Sequence, residues 1–554
     1  MEQRSVTTQT APQNAQDTKF NFRWMRHFFT EDVTPDNLPV VEIQHRALWI
    51  GLAFILQALN EITPALYQPY IQPVGTFIPF LLILGSLIAI WMGLRPTTHK
   101  QRTTSFRRPP RTWQRLLLIA VLLTTIAGGI EFGRATIMLF LPPQFSNDGT
   151  SLDTNAAILL SQGRNPYTDS NVLDLARQYS IEPNWTTPLR RGQFAGMLQY
   201  PSISEFRSVL DTDLKTGESI EFESRVSYPA LSFLTLMPFA WLKTANVLSL
   251  YLASYLVLVF IAWKAVRPEI RPWVLLLSMA NVPMWASTVG GNLDIFYTLL
   301  LVVAWLTRDR RGISVLFLGL AFASKQISWY FAPFYLIMIW RQYGLKEAIQ
   351  RLVVSGAICL AINLPFILWN PQAFLAGVMA PVADPMFPMG SGLINLSLIN
   401  LIPFLPTTVY TVLEAVAAVF CIAAYWKLAP KHPEAAMLLA VLPLYFAWRS
   451  LPSYFYCVGF PIFILMAARE VPRKQTKTVP GRQNITTLPI NTRSLLPTPQ
   501  LPVAVSIQAK PLPFSSLHNL ARGGRWLQPV KQSLQVDDPA WACMANEETA
   551  IQTT

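Results

Sequence analysis

A few polar residues stand out because their types could do chemistry and the runs around them are apolar. Asp148 and Asp153 occur in SNDGTSLDTNAAILLSQGRNPYTD (Ser146 to Asp169), directly after a long apolar segment. Asn292 and Asp294 share the tight turn GGNLD between two apolar runs. Lys325 ends a short helix predicted to begin near Ile313, Asp384 lies in a loop after a later apolar segment, and Arg449 sits in YFAWRSLPSYFY between the last two apolar runs. A carboxylate beside an acceptor hydroxyl serves as general base or hydrogen-bond acceptor while a leaving group departs. A cation held at a membrane interface matches a lipid phosphate in both charge and depth.

Each residue also has a plainer reading. An ionisable group at membrane depth costs about 2.5 to 3.5 kcal/mol on insertion scales. Lys325 and Arg449 could each relieve that cost by snorkelling at a helix end or by pairing with a loop carboxylate. Asp153 is placed to cap a helix predicted from Thr154 to Gln162, with Thr, Asn and Ala following it. Asp148, in the NDG turn, has less need of a capping role. Carboxylates by themselves can hold a divalent ion, but no compact acidic triplet or HxxxH-like set argues for a metal.

The elements that must position these residues are set by composition. Of 554 residues, 52% are apolar and 14% charged, against roughly 25% charged in a soluble domain. Apolar runs of about 17 to 25 residues, the length that crosses a bilayer core, recur between Ala47 and Ala468. Examples are Trp49 to Leu66, Phe77 to Leu94, Leu116 to Phe140, Val247 to Ala262, Val274 to Val289 and Leu352 to Leu368. The first 46 residues show no cleavable signal pattern, so the first span is expected to be its own insertion signal. Cys359, Cys421, Cys457 and Cys543 stand singly, with no disulfide framework and no Cys-based metal motif. The net charge of +13 sits largely in short loops and tails beside apolar runs, which points to topology and anionic lipid headgroups and not to nucleic acid.

Charge placement predicts the topology. The connection from Arg95 to Arg115 carries seven basic residues and no acid, which makes it cytoplasmic. The 87 residues from Pro142 to Tyr228, with eleven acids against seven bases, are then external and too long for an idle connection. Treating Ala230 to Leu242 and Leu393 to Leu405 as re-entrant or peripheral segments keeps every later basic cluster inside. The expectation is an all-α integral membrane protein of about 12 spans with both termini cytoplasmic: an N-terminal segment 1–46, a transmembrane domain 47–469 and a disordered cytoplasmic tail 470–554.

At these residues the chain resembles a known family. NAAILLSQGRNPYTD after an Asp is similar to the first external loop of glycosyltransferase family 87, the polyprenol-phosphate-mannose-dependent mannosyltransferases. YPALSFLTLMPFAWL (Tyr228 to Leu242) looks like that family's Tyr-Pro-rich short helix. VGGNLDIFYTLLLVVAWLTRDRRGISVLFLGLAFASKQISWYFAPFYLI (Val289 to Ile337) looks like its Gly-Gln-x-Asn turn, basic turn and following Lys, with Gly291 standing where the family often has Gln. The likeness runs roughly from Arg115 to Arg469 and rests on the order and spacing of its motifs.

The resemblance implies a GT-C-type helical bundle in the cell membrane, with an extracytoplasmic site that moves a hexose, most simply mannose, from a polyprenyl-phosphate donor to a glycan or glycolipid acceptor. It implies Asp148 as the catalytic acid with Asp153 as rival; Asn292 and Asp294 are placed on the donor side with the turn that holds them, and Lys325 and Arg449, as two cations at the external interface, are expected at the carrier phosphate. A transporter or flippase of lipid-linked intermediates would also want interfacial cations, but no inverted repeat is visible. A purely structural scaffold explains neither the cations nor the loop. For the topology, a cysteine placed at Ser170 should react with an impermeant reagent in intact cells; labelling at Thr104 instead would overturn the assignment.

Overall fold

The computed structural model describes residues 40–67, 74–95, 112–141, 145, 148–179, 186–244 and 246–469. The expected tail, most of the N-terminal segment and most of the basic Arg95 to Arg115 connection lie outside these. Among the described residues, five helices are long and apolar enough to cross a bilayer: Phe77–Leu94, Thr112–Met138, Leu248–Ala265, Leu345–Trp369 and Thr407–Leu428. The long helix Val40–Tyr67 lies antiparallel beside the first of these, and shorter apolar helices such as Leu293–Leu306 and Arg311–Ser324 fill the interior. Their side chains merge into one apolar core that includes Phe54, Trp285, Trp305 and Tyr335.

Two expected continuous segments are broken. Val274 to Val289 divides at Asn281 into Arg271–Ala280 and Val282–Val289, because Pro283 supplies no N–H for the Met279 carbonyl of the preceding turn and its ring crowds that carbonyl, whereas it suits the first turn of a new helix. Side chains satisfy the backbone at the break: the Ser278 carbonyl accepts from Tyr255 Oη (2.9 Å) and Trp285 Nε1 (2.8 Å), and Asn281 Nδ2 donates to the Tyr456 carbonyl (3.3 Å). Ala230 to Leu242 forms two short helices, Leu231–Leu234 and Met237–Trp241, on either side of a turn before Pro238. Neither is long enough to cross a bilayer.

The segment after the Thr112–Met138 helix folds on its own apolar cluster. Phe194, Phe206 and Phe222 meet Phe387 from a distant loop, with Phe206 and Phe222 ring centroids 5.1 Å apart. The helix Ile203–Thr216 is fixed at both ends, by a Ser202–Glu205 capping box and by Gly217 in the left-handed conformation. An isolated bridge, Pro188–Phe222, closes this unit on itself, and a second, Leu189–Met386, ties it to the loop after Pro371–Ala383. Two short parallel strands, Met389–Gly390 and Arg449–Ser450, add the β element that an all-helical reading lacks.

The two ends of the bundle differ. At one end Arg46 is buried and paired with Glu42, while Glu434 receives Arg469 and His432. Asn60 Nδ2 donates to Tyr456 Oη (2.9 Å) near the other end of the same first helix. Buried charges persist only when paired, so the first cluster is a structural knot.

Close helix crossings depend on small residues. A Cβ at Gly128 would collide with the Met279 carbonyl, where Thr112–Met138 crosses Arg271–Ala280, whereas one at Gly129 would meet nothing within 4 Å. Gly128→Ala should therefore cost about 1 to 3 kcal/mol by overpacking. Gly129→Ala should be neutral or slightly stabilising. Thermal unfolding of the two purified variants in detergent checks the pair, and equal stability would refute the close-crossing account.

Candidate functional site

The centre of the site is the helix Asp148–Ser161, which is buried from Gly149 to Ala157 and so packed on every side. Its small residues allow this. Gly149 lies so close under the Tyr228 ring that a Cβ there would collide with it. Thr150 Oγ1 donates to the Gly291 carbonyl (2.9 Å), fixing the helix to the GGNLD turn. Gly291 has φ +76°, and a Cβ there would stand 2.9 Å from the Tyr251 ring and 3.0 Å from Thr150 Cγ2. Glycine at this position is a packing requirement, and a Gln would have to displace Tyr251.

The turn leads into Leu293–Leu306. Asn292 caps that helix, its Oδ1 accepting from the Asp294 N–H (2.9 Å), so its side chain is engaged in the fold. Asp294, in the first helical turn, accepts from Lys325 Nζ at 2.6 Å. Lys325 follows the last residue of Arg311–Ser324 and is 7% exposed. Its ammonium also lies 5.0 Å from the Tyr228 ring centroid. Of the readings open for Lys325, the structure gives it the ion pair: its charge is matched by Asp294.

Asp153 is not the cap that its surroundings predict. The helix begins at Asp148, five residues earlier, so Asp153 lies inside it and Asp148 occupies the first turn. At that end the helix dipole favours a negative side chain. Asp153 is 1% exposed; its Oδ1 accepts from Ser232 Oγ (2.7 Å) and its Oδ2 is a buried oxygen with no hydrogen-bond partner among the described residues. Burial pushes its pKa up to about 8, against the Ser232 hydrogen bond and the Lys325 charge, with Asp148 adding to the rise. A carboxyl that is protonated near neutral pH is no general base there.

Arg449 enters from the opposite side of the chain. The strand pair with Met389–Gly390 holds its backbone, and Nη2 lies 3.6 Å from Met389 Sδ. It is half-buried and has no carboxylate within ion-pair distance among the described residues. The charges of Lys325, Arg449, Asp294 and Asp148 all act on Tyr454, and those of Lys325, Asp148 and Asp294 act on Tyr228. Lys325, Asp294 and Asp148 thus lie within electrostatic reach of both tyrosines, and Arg449, some three hundred positions beyond Asp148, within reach of Tyr454.

Every candidate from the sequence except Asp384 belongs to this constellation. Asp384 is held by Arg191 (2.6 Å) and Arg225 (3.4 Å), so its charge is matched within the loop unit. Ser232, Tyr251 and Tyr454 complete the site without having been singled out. The two tyrosines lie in runs rich in aromatic residues where nothing marks one ring over another, and Ser232 carries no sequence signal. Among the described residues no group of three or more His, Cys, Asp or Glu side chains could hold a metal ion.

The arrangement offers one half-buried acid, one buried carboxyl whose pKa is raised, a self-neutralised Lys–Asp pair and a cation with no acidic partner among the described residues. The raised pKa of Asp153 has a stability consequence. Its favourable contribution is complete below the unfolded value of about 3.9 and is lost as pH rises through about 8. Asp153→Asn, an isostere of the protonated acid, should thus gain stability relative to the parent as pH rises across that window. Thermal unfolding at both ends of the window measures this, and a pH-independent difference would exclude the assignment. Comparison of the chain with family models, with curated proteins and with solved structures gives no match, so the family resemblance rests on the residues alone.

Proposed function

We propose that the protein is an integral membrane glycosyltransferase that moves a hexose, in the simplest case mannose, from a polyprenyl-phosphate carrier to a glycan or glycolipid acceptor on the extracytoplasmic face. The observation that carries this reading is that Asp148 and Arg449, with the Lys325–Asp294 pair, lie within electrostatic reach of Tyr454, beside a folded acid-rich loop. The five long apolar helices support the membrane placement. The basic connections support a crossing pattern of about 12 spans with that loop outside.

The roles follow from the charges. Asp148 takes the proton from the acceptor hydroxyl as its oxygen bonds to the sugar C1. The bond from C1 to the phosphate oxygen breaks, and the polyprenyl phosphate leaves with the charge. Arg449, lacking an acidic partner, meets that phosphate, since a guanidinium matches its oxygens in geometry as well as charge. Lys325 and Asp294 hold the floor of the site, with the Lys325 charge reaching Tyr228 and Tyr454. Asp153 positions the helix that carries Asp148.

The test compares variants of the purified protein supplied with several polyprenyl-phosphate sugars. Asp148→Asn should lower transfer by about 10² to 10⁴ with expression and donor binding intact. Arg449→Met should raise the donor KM, and Asp153→Asn should keep measurable activity. Lys325→Met would leave the Asp294 charge buried and alone, at a cost of about 3 to 5 kcal/mol, so Arg449 is the informative cation. Absence of glycosyl-bond turnover with every donor would favour a transporter of lipid-linked intermediates; an active Asp148→Asn beside a dead Asp153→Asn would exchange the roles of the two acids.

A further inference from the structure

Away from this site, an apolar groove of about 420 Å³ opens between the helices Ala332–Tyr343, Leu345–Trp369 and Thr407–Leu428. Leu336, Trp340, Ala348, Leu352, Ile422 and Trp426 are among its lining residues. The helix Ala332–Tyr343 begins just after Lys325 and ends where Tyr343 Oη meets Asp309, so Trp340 and Trp426 lie at the end of the bundle away from the Lys325–Asp294 pair. Their indoles meet edge to face, centroids 4.7 Å apart.

Cations gather at that end of the groove. The Arg341 guanidinium lies over the Trp426 ring, 5.4 Å from its centroid. Lys346 follows the lining residue Leu345 and is exposed. Of the nearby acids Glu347 is paired with Arg351 (2.8 Å) and Arg311 (3.6 Å), and Asp309, which accepts from the Tyr343 hydroxyl, is not ion-paired with Arg341 or Lys346 among the described residues. A groove without polar lining, indoles at its end and unbalanced positive charge beyond them reproduces the profile of an anionic phospholipid: acyl chain, interface, headgroup.

We propose that this groove is a binding site for one anionic phospholipid, with an acyl chain along Leu336, Ala348 and Leu352 and the phosphate at Arg341 and Lys346. The site rests on the membrane placement and is independent of the transferase chemistry. A zwitterionic lipid would fill the groove equally well but would leave the cations unbalanced. The preference for negative charge is therefore the distinguishing property.

Native mass spectrometry of the purified full chain, exchanged into detergent with phosphatidylglycerol, phosphatidylcholine or polyprenyl phosphate, tests the proposal. Phosphatidylglycerol should be retained several-fold over phosphatidylcholine. The double variant Arg341→Gln, Lys346→Gln should lose that preference, and Ile349→Trp, which fills the groove from its exposed edge, should lose the bound lipid. Leu368→Trp, at an exposed position on the same helix outside the groove, should behave as the parent. Equal retention of the two phospholipids, retention of polyprenyl phosphate in their place, or an undiminished preference in the double variant would overturn it. The readout is lipid retention, so failure of the transferase reading would leave this result unaffected.

Discussion

The buried pair between Lys325 and Asp294 is the constraint around which the site is arranged. An ammonium and a carboxylate this far from water persist together or not at all, because removing either leaves the other uncompensated. Asp294 begins one helix and Lys325 follows the end of the next, so the pair clamps the two helices together at the ends opposite their connecting turn. Tyr228 closes over the ammonium and also over Gly149, which brings the loop unit and the helix carrying Asp148 to the same place. Asn292 and Gly291 then have little freedom: one caps the helix, the other admits Tyr251 and Thr150.

The same economy of charge separates the two acids. Asp148 and Asp153 are five residues apart on one helix, yet one is half-buried in the first turn and the other has a buried, unpartnered oxygen. Desolvation disfavours the charged form of the inner acid, and the negative charge of its neighbour adds to that effect. Environments that drive two carboxyls apart in this way commonly divide acid, base and structural duties between them. The cations differ likewise: the Lys325 charge is matched by Asp294, while Arg449, in one of two short strands, has no carboxylate within ion-pair distance among the described residues.

The loop unit owes its order to aromatic packing and to backbone pairing across long sequence distances. Phe387 comes from beyond the Pro371–Ala383 helix to join Phe194, Phe206 and Phe222. Arg191 and Arg225 reach Asp384 in that same returning loop. A segment that reads as one long acidic connection is therefore completed by residues nearly two hundred positions away.

How much of this was legible follows from the range of each force. Apolar runs of bilayer length, proline breaks and the clustering of Arg and Lys are local, so the sequence alone determined the helical apolar class, the short segment after Tyr228 that does not cross, and the small set of polar residues worth attention. It placed Lys325 just past its helix and Asn292 and Asp294 in one turn because helix ends and turns are written in adjacent residues. It misplaced the start of the Asp148–Ser161 helix, since a cap motif at Asp153 is a local preference of about 1 kcal/mol and tertiary burial of the preceding turn outweighs it. Only the tertiary structure decided that Lys325 belongs to Asp294, that burial raises the pKa of Asp153 and that, among the described residues, no carboxylate lies within ion-pair distance of Arg449. Burial and pairing depend on which side chains approach from other helices, and no spacing along the chain encodes the distance between residues 294 and 325 or the hydroxyl that Ser232 brings to Asp153.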